Sequence, residues 1–307
     1  MKKIASLLAA VMLLTAALAG CGNSGSGSST TDTSSASSTA SQSSTAEDSS
    51  AAEGETSSEA SATEAGDYGE FTTIEEGKLI MSTNAQFPPY EMVADGEGFN
   101  GTGFEGIDIE IASAIADKLG LELVIDDMEF DSALLAVQNN AADVMLAGLS
   151  YSEDRDQVMD FSDSYATGIQ SVIVKEGSEV TMDNLGDYMI GTQRGTTGYL
   201  YASDTPENGG YGEDHVIGYD NGATAVQELI NGTIDAVIID NAPAQEYVSA
   251  NADAGLTILD GAWVEEQYCA AVDEGNEALL NAINTALNEL IEDGTVQTII
   301  DKYITAD

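Results

Sequence analysis

The chain has 307 residues and carries 54 Asp+Glu against 8 Lys+Arg, a formal net charge of −46. So large a negative excess repels nucleic acid and anionic membrane surfaces, excludes both as expected partners, and suits solubility in a cell-wall or extracellular setting. One histidine and two cysteines form no close Cys/His cluster, so neither a metal nor a cofactor is expected.

In chain order, Lys2 and Lys3 precede an apolar run from Ile4 to Leu18. A spanning helix needs roughly 20 apolar residues, so this run reads as a signal peptide over 1–20, outside the fold. It ends in Leu18-Ala19-Gly20-Cys21, which resembles the lipobox of bacterial lipoproteins. That resemblance implies cleavage before Cys21, lipidation of its thiol, and attachment to the outer face of the cell membrane, most simply in a Gram-positive cell. Several acyl chains anchor stably where one binds only marginally. Residues 21–70 continue in Ser, Thr, Ala, Gly and acids, with no Lys or Arg and almost no large apolar side chain. Such a segment cannot bury enough surface to offset its chain entropy and is expected to be a disordered tether, its ends about 40 Å apart.

From residue 71 the pattern becomes globular. Strands are expected over 78–82, 121–125 and 143–147. Helices are expected over 107–119, where apolar residues recur at 107, 111, 115 and 119 before Gly120, and over 132–139. A strand-like connector follows at 169–175. Beyond it come strands at 188–191, 216–219 and 235–239 and helices at 198–202, 223–230 and 243–249. A second connector lies in the apolar run 268–272, and two helices, 276–291 and 295–304, close the chain on either side of Asp293-Gly294. This alternation predicts mainly parallel sheets with helices on their faces. The weak echo between 133–147 and 223–239 predicts two similar lobes: 71–168 with 272–307, and 169–271. With Cys21 lipidated, Cys269 has no disulfide partner and reads as a buried strand residue. His215 falls in a strand-like stretch, and neither it nor Trp263 acquires a role.

Several motifs occur in order. They are Asn84-Ala85-Gln86-Phe87-Pro88-Pro89-Tyr90-Glu91, Gly106 to Ala112, Ala147 to Arg155 with Asp160-Phe161-Ser162, Gly195-Thr196-Thr197, Ile234 to Asp240, and Asp293-Gly294-Thr295 with Lys302-Tyr303. With them the chain resembles the polar amino-acid-binding proteins of bacterial ABC importers over nearly all of 78–307. The resemblance implies an α/β, two-lobed, type II periplasmic-binding-protein-like fold, with lobes joined by a two-strand hinge and ligand held between them. It implies a monomer that binds a free amino acid and delivers it to a membrane permease, not an enzyme.

The chemistry of such a ligand agrees. A closed site must pair both a carboxylate and an ammonium, because an unpaired charge removed from water costs several kcal/mol. The resemblance places Arg155 on the carboxylate, where its planar fork suits a bidentate grip, and Asp240 on the ammonium. Gly148 and Ser150 would add hydrogen bonds, and Thr196 and Thr197 would open a helix whose free N–H groups suit the carboxylate. Asp108 stands at a helix start, where capping is its expected work. For the ligand side chain the resemblance offers Phe87 and Phe130 as packing rings and Asn84 and Gln193 as polar partners. A neutral polar amino acid is the first expectation and a basic one the second. Two alternatives are a cyclohexadienyl dehydratase on the same fold, for which Glu105 is the weak candidate acid, and an extracellular sensor domain. Whether Glu105 or Arg194 reaches the ligand is left open.

Overall fold

The computed structural model describes residues 68–304. The expected signal peptide, Cys21 and all but the last three residues of the expected tether lie outside the described residues, as do 305–307. Tyr68 already belongs to the fold: it packs against the main core and its hydroxyl donates to Glu289 at 3.0 Å.

The first half begins with β1 (Lys78–Thr83), a small antiparallel sheet of β2 (Gln86–Phe87), β3 (Glu91–Val93) and β4 (Phe104–Glu105), then α1 (Ile107–Leu119), β5 (Glu122–Asp127), α2 (Phe130–Gln138) and β6 (Val144–Met145). A long strand, β7 (Met159–Lys175), leads to β8 (Ile190–Gln193), α3 (Thr197–Ser203), β9 (Val216–Tyr219), α4 (Gly222–Asn231), β10 (Ala236–Asp240), α5 (Asn241–Ala250) and β11 (Leu256–Ile258). The chain returns on β12 (Val264–Asp273) and ends in α6 (Glu277–Glu292) and α7 (Thr295–Tyr303). Among the described residues the main sheet runs β5-β1-β6-β12-β7-β10-β8-β9, with β11 also on β7. Strands within β5-β1-β6 and within β10-β8-β9 are parallel, while β7 and β12 pair antiparallel from Val264 opposite Gln170 to Asp273 opposite Met159. β6 joins at the Asp273 end of β12, and β10 and β11 join at the Lys175 end of β7. The chain thus crosses between the halves twice, on β7 and β12, in the two-lobed type II arrangement.

Strand alternation feeds two helical layers. In β1, Leu79 and Met81 enter the cluster built with α1 and α6, whereas Ile80 enters the one built with Phe130, Ala133 and Val137 of α2. In β10, Val237 and Ile239 pack with α4, and Ala236 and Ile238 pack beside Ala202 of α3. Each such fully buried aliphatic side chain stabilises the fold by about 1.5–3 kcal/mol. α4 is closed at its start by Asn221, whose Oδ1 accepts from the Thr224 N–H at 2.8 Å, and at its end by Gly232.

Three expectations are corrected. The strand expected over 169–175 begins ten residues earlier, in β7; the run Asp160-Phe161-Ser162-Asp163-Ser164 is too polar to read as a strand until β12 pairs with it. His215 lies in a 3-10 turn, Glu213–His215, ahead of β9. Asp108 does not cap α1: its fully buried carboxylate accepts the Gly148 N–H at 2.7 Å and so ties α1 to the loop after β6. The β2-β3-β4 sheet escaped prediction because its strands are only two or three residues long. Cys269 is buried and forms no disulfide among the described residues.

Candidate ligand-binding site

Parallel strands deliver polar residues to the level where the two halves meet. Asn84 follows β1 directly, Gln193 ends β8 and Asp240 ends β10, at the carboxyl ends where open α/β sheets form crevices. The loop Ala147–Arg155 contributes Gly148 and Ser150 and closes with Arg155 in a 3-10 turn. Together with Phe87, Phe130, Thr196 and Thr197, these residues line one cavity. All ten residues singled out in the sequence are present there. Glu91 and Ala147 line it too.

Gly148 is required by geometry. Its φ is +50°, and a Cβ there would stand 2.6 Å from the Phe87 ring. Gly195 also has positive φ (+77°), and a Cβ would collide with the Asp131 carboxylate. The missing Cβ at Gly195 lets that turn lie against Asp131 of the first half.

Arg155 is the one cation among the described lining residues and is only 7% exposed. Its Nη1 donates to the Ser150 carbonyl at 2.6 Å and its Nη2 to the Gly195 carbonyl at 2.9 Å. The Phe130 ring centroid lies 5.7 Å from the guanidinium carbon, forming a cation–π shelf. Burial pulls the Arg155 pKa below its usual value, opposed chiefly by Glu266, yet a guanidinium stays charged. Two of five N–H donors are used, and the others remain for an anion.

Asp240 brings a buried carboxyl to the same cavity. Its Oδ1 accepts the Tyr268 hydroxyl and its Oδ2 accepts the Gln170 amide at 2.9 Å. Burial, and next the charge of Glu266, raise its pKa from 3.8 to about 7. Although it precedes α5, its side chain does not cap that helix. Glu91 is fully buried beside the cavity; burial first, then the neighbouring Asp108 charge, push its carboxyl well above the usual range.

The remaining polar groups divide by what they already hold. Asn84 Nδ2 donates to the Met128 carbonyl at 2.9 Å, and its Oδ1 accepts from Gln193 Nε2. Both ends of the Asn84 amide are therefore engaged, while Gln193 keeps its carbonyl for the cavity. Thr196 is occupied by capping: its hydroxyl donates to the backbone carbonyl of Gln193 at 2.8 Å, leaving the side-chain oxygen of Gln193 untouched, and accepts the Tyr199 N–H at 3.3 Å. Thr197 and Ser150 instead donate to Glu266.

Glu105 sits half-buried in β4 and does not line the cavity. Arg194 turns outward to Asp220 at 3.0 Å and to the Gly218 carbonyl. Trp263 stacks on Tyr211 at 6.0 Å and is not among the cavity's lining residues. Sequence reading missed Glu91, Gln170, Glu266 and Tyr268. Glu91 stood inside a quoted motif, and period-2 alternation back from the buried Tyr268 puts Glu266 on the same side. Nothing in the sequence marked Gln170.

The comparisons agree with this architecture. The arginine-binding extracellular protein ArtP of Bacillus subtilis (strain 168) is 30% identical over 232 residues, covering 75% of this chain and 87% of ArtP. An ancestral arginine-binding protein solved with arginine shares 37% identity at a TM-score of 0.67, over 74% of this chain and 98% of that one. The structure described as an ancestral arginine-binding protein bound to glutamine shares 36% at 0.67, over 76% and 100%. The profile of the bacterial extracellular solute-binding proteins, family 3, matches residues 79–306, and to that family this chain belongs.

Proposed function

We propose that this protein captures a free amino acid outside the cell membrane and delivers it to the permease of an ABC importer. The observation that carries this reading is one cavity lined by a buried cation, Arg155, and a buried acid, Asp240. Such a pair matches the two charged ends of a zwitterion, and each is worth most where water is excluded. The lobes are assigned as 71–168 with 272–307, and 169–271. Chain outside the described residues supplies the address: a signal peptide over 1–20, a lipid on Cys21, and a tether to about residue 67. The binding unit is taken to be a monomer.

The ligand side chain would meet Phe87, Phe130 and the Gln193 carbonyl. An acceptor between aromatic faces, with no ionised carboxylate assigned to that end, suits a neutral donor such as an amide. Glutamine is the first choice. A basic side chain is the second reading, favoured by the relatives named for arginine. A thermal-shift screen of the twenty amino acids with cystine and ornithine tests both, because a ligand that binds only the folded state raises its apparent stability with concentration. A concentration-dependent rise with one or a few amino acids is expected; no rise with any would overturn the proposal.

A further inference from the structure

Glu266 stands on β12, one of the two strands that cross between the halves, and its side chain lies behind the cavity wall rather than in it. It is 6% exposed. A single oxygen, Oε2, accepts three hydrogen bonds: from the Ser150 hydroxyl at 2.9 Å, the Thr197 hydroxyl at 3.0 Å and Gln170 Nε2 at 2.9 Å. The other oxygen, Oε1, is buried with no hydrogen-bond partner among the described residues. The three donors come from different elements: the loop after β6, the start of α3, and β7.

A hydroxyl has one proton to give and two lone pairs to offer. Ser150 and Thr197 both line the cavity, and both have given their proton to Glu266. What they present to a ligand is therefore acceptor capacity alone. The Gln170 amide is spent in the same way, one N–H on Glu266 and one on Asp240, each at 2.9 Å. The result is a wall of acceptors facing the cavity: two hydroxyl oxygens and the Asp240 carboxylate.

We propose that Glu266 is a positioning residue, whose acceptor oxygen turns the Ser150 and Thr197 hydroxyls so that they receive protons from the ligand and do not donate to it. This rests on the amino-acid reading above. It assigns the ligand's ammonium, with its three N–H donors, to the wall of Ser150, Thr197 and Asp240. It leaves the ligand's carboxylate to the free donors of Arg155. Glu266 thereby sets which way round a zwitterion enters, without touching it.

The test uses the secreted chain purified without its signal, titrated by calorimetry with whichever of the twenty common amino acids the wild type binds most tightly. Failure of the wild type to bind any of them would overturn the amino-acid reading and this inference with it. Glu266→Met removes the acceptor and should weaken binding about tenfold or more, the scale of losing hydrogen bonds to a charged group. Glu266→Gln keeps a carbonyl oxygen that can take the place of Oε2, and should restore affinity to within about threefold of wild type. Ser150→Ala should cost about tenfold in the wild type but less than about threefold in the Glu266→Met protein, because the hydroxyl is no longer held as an acceptor. Melting curves for each variant confirm that the fold is retained. If Glu266→Gln loses as much affinity as Glu266→Met, the charge and not the acceptor matters and the proposal fails. Additive losses in the Ser150→Ala cycle would equally overturn it, as Glu266 would then act only on structure. If Glu266→Met does not fold, the Gln variant and its own Ser150→Ala cycle decide the case: the full Ser150→Ala cost must persist there.

Discussion

Gln193 donates from Nε2 to Asn84 Oδ1 at 2.9 Å, across 109 positions of sequence, and so joins the end of β8 to the end of β1 over the cavity. Asn84→Asp keeps an acceptor for Gln193 but sets a carboxylate against the Met128 carbonyl that Asn84 Nδ2 now serves. The expected outcome is a shift of preference towards Lys, Arg or ornithine, with a loss of about 1–3 kcal/mol in ligand-free stability from the mispaired carbonyl. Calorimetry with each amino acid and urea unfolding check the two halves of that statement.

Arg155 and Asp240 are both buried and line the same cavity. Truncating one member of a desolvated charge pair costs about 2–5 kcal/mol, or roughly 30-fold to several-thousand-fold in affinity. Arg155→Ala and Asp240→Ala should each lose affinity on that scale, whichever amino acid binds. Near-wild-type affinity in a folded Arg155→Ala protein would remove the site assignment.

Binding should depend on pH through Asp240. Its pKa of about 7 in the ligand-free protein means that the carboxyl is largely protonated below neutrality. A ligand ammonium favours the carboxylate, so binding below pH 7 must expel a proton. Affinity should rise with pH up to about 7, by at most about tenfold per unit, and level off above it. Titrations in buffers of different ionisation enthalpy should show proton release at pH 6 and little at pH 8. The ligand-free fold obeys the opposite sign. Asp240, raised from 3.8 to about 7, and Asp108, raised to about 6, contribute stability that is fully present below their unfolded values and is lost as pH rises through the folded ones. Melting temperature without ligand should therefore fall between about pH 4 and 7 from these two groups, and added ligand should reverse the Asp240 share.

Anchoring should depend on Cys21. Cys21→Ser is expected to release the protein from the membrane fraction into the medium, or to block its maturation, while the purified domain binds as before. Fractionation with immunoblotting reads the first outcome and calorimetry the second. Unchanged membrane retention and processing would count against the lipid anchor.

Local pattern was sufficient for much of this molecule. The 107–119 helix emerges within its expected limits because apolar spacing, a closing glycine and burial against the sheet all favour the same conformation. The ten residues that the family resemblance offers for the site all lie on the lining of one cavity. Elements failed to show where no local preference exists. The first half of β7 is polar and becomes a strand only when β12 supplies its hydrogen-bond partners. Asp108 and Thr196 both stand at helix starts. Only Thr196 caps, because the loop after β6 brings the Gly148 N–H within reach of Asp108, and a buried carboxylate takes the donor that tertiary packing offers. The direction of the hydroxyl protons at Ser150 and Thr197 lies furthest from the sequence. It is decided by Glu266, 116 and 69 positions away, because a hydroxyl rotates towards whichever acceptor the fold places beside it.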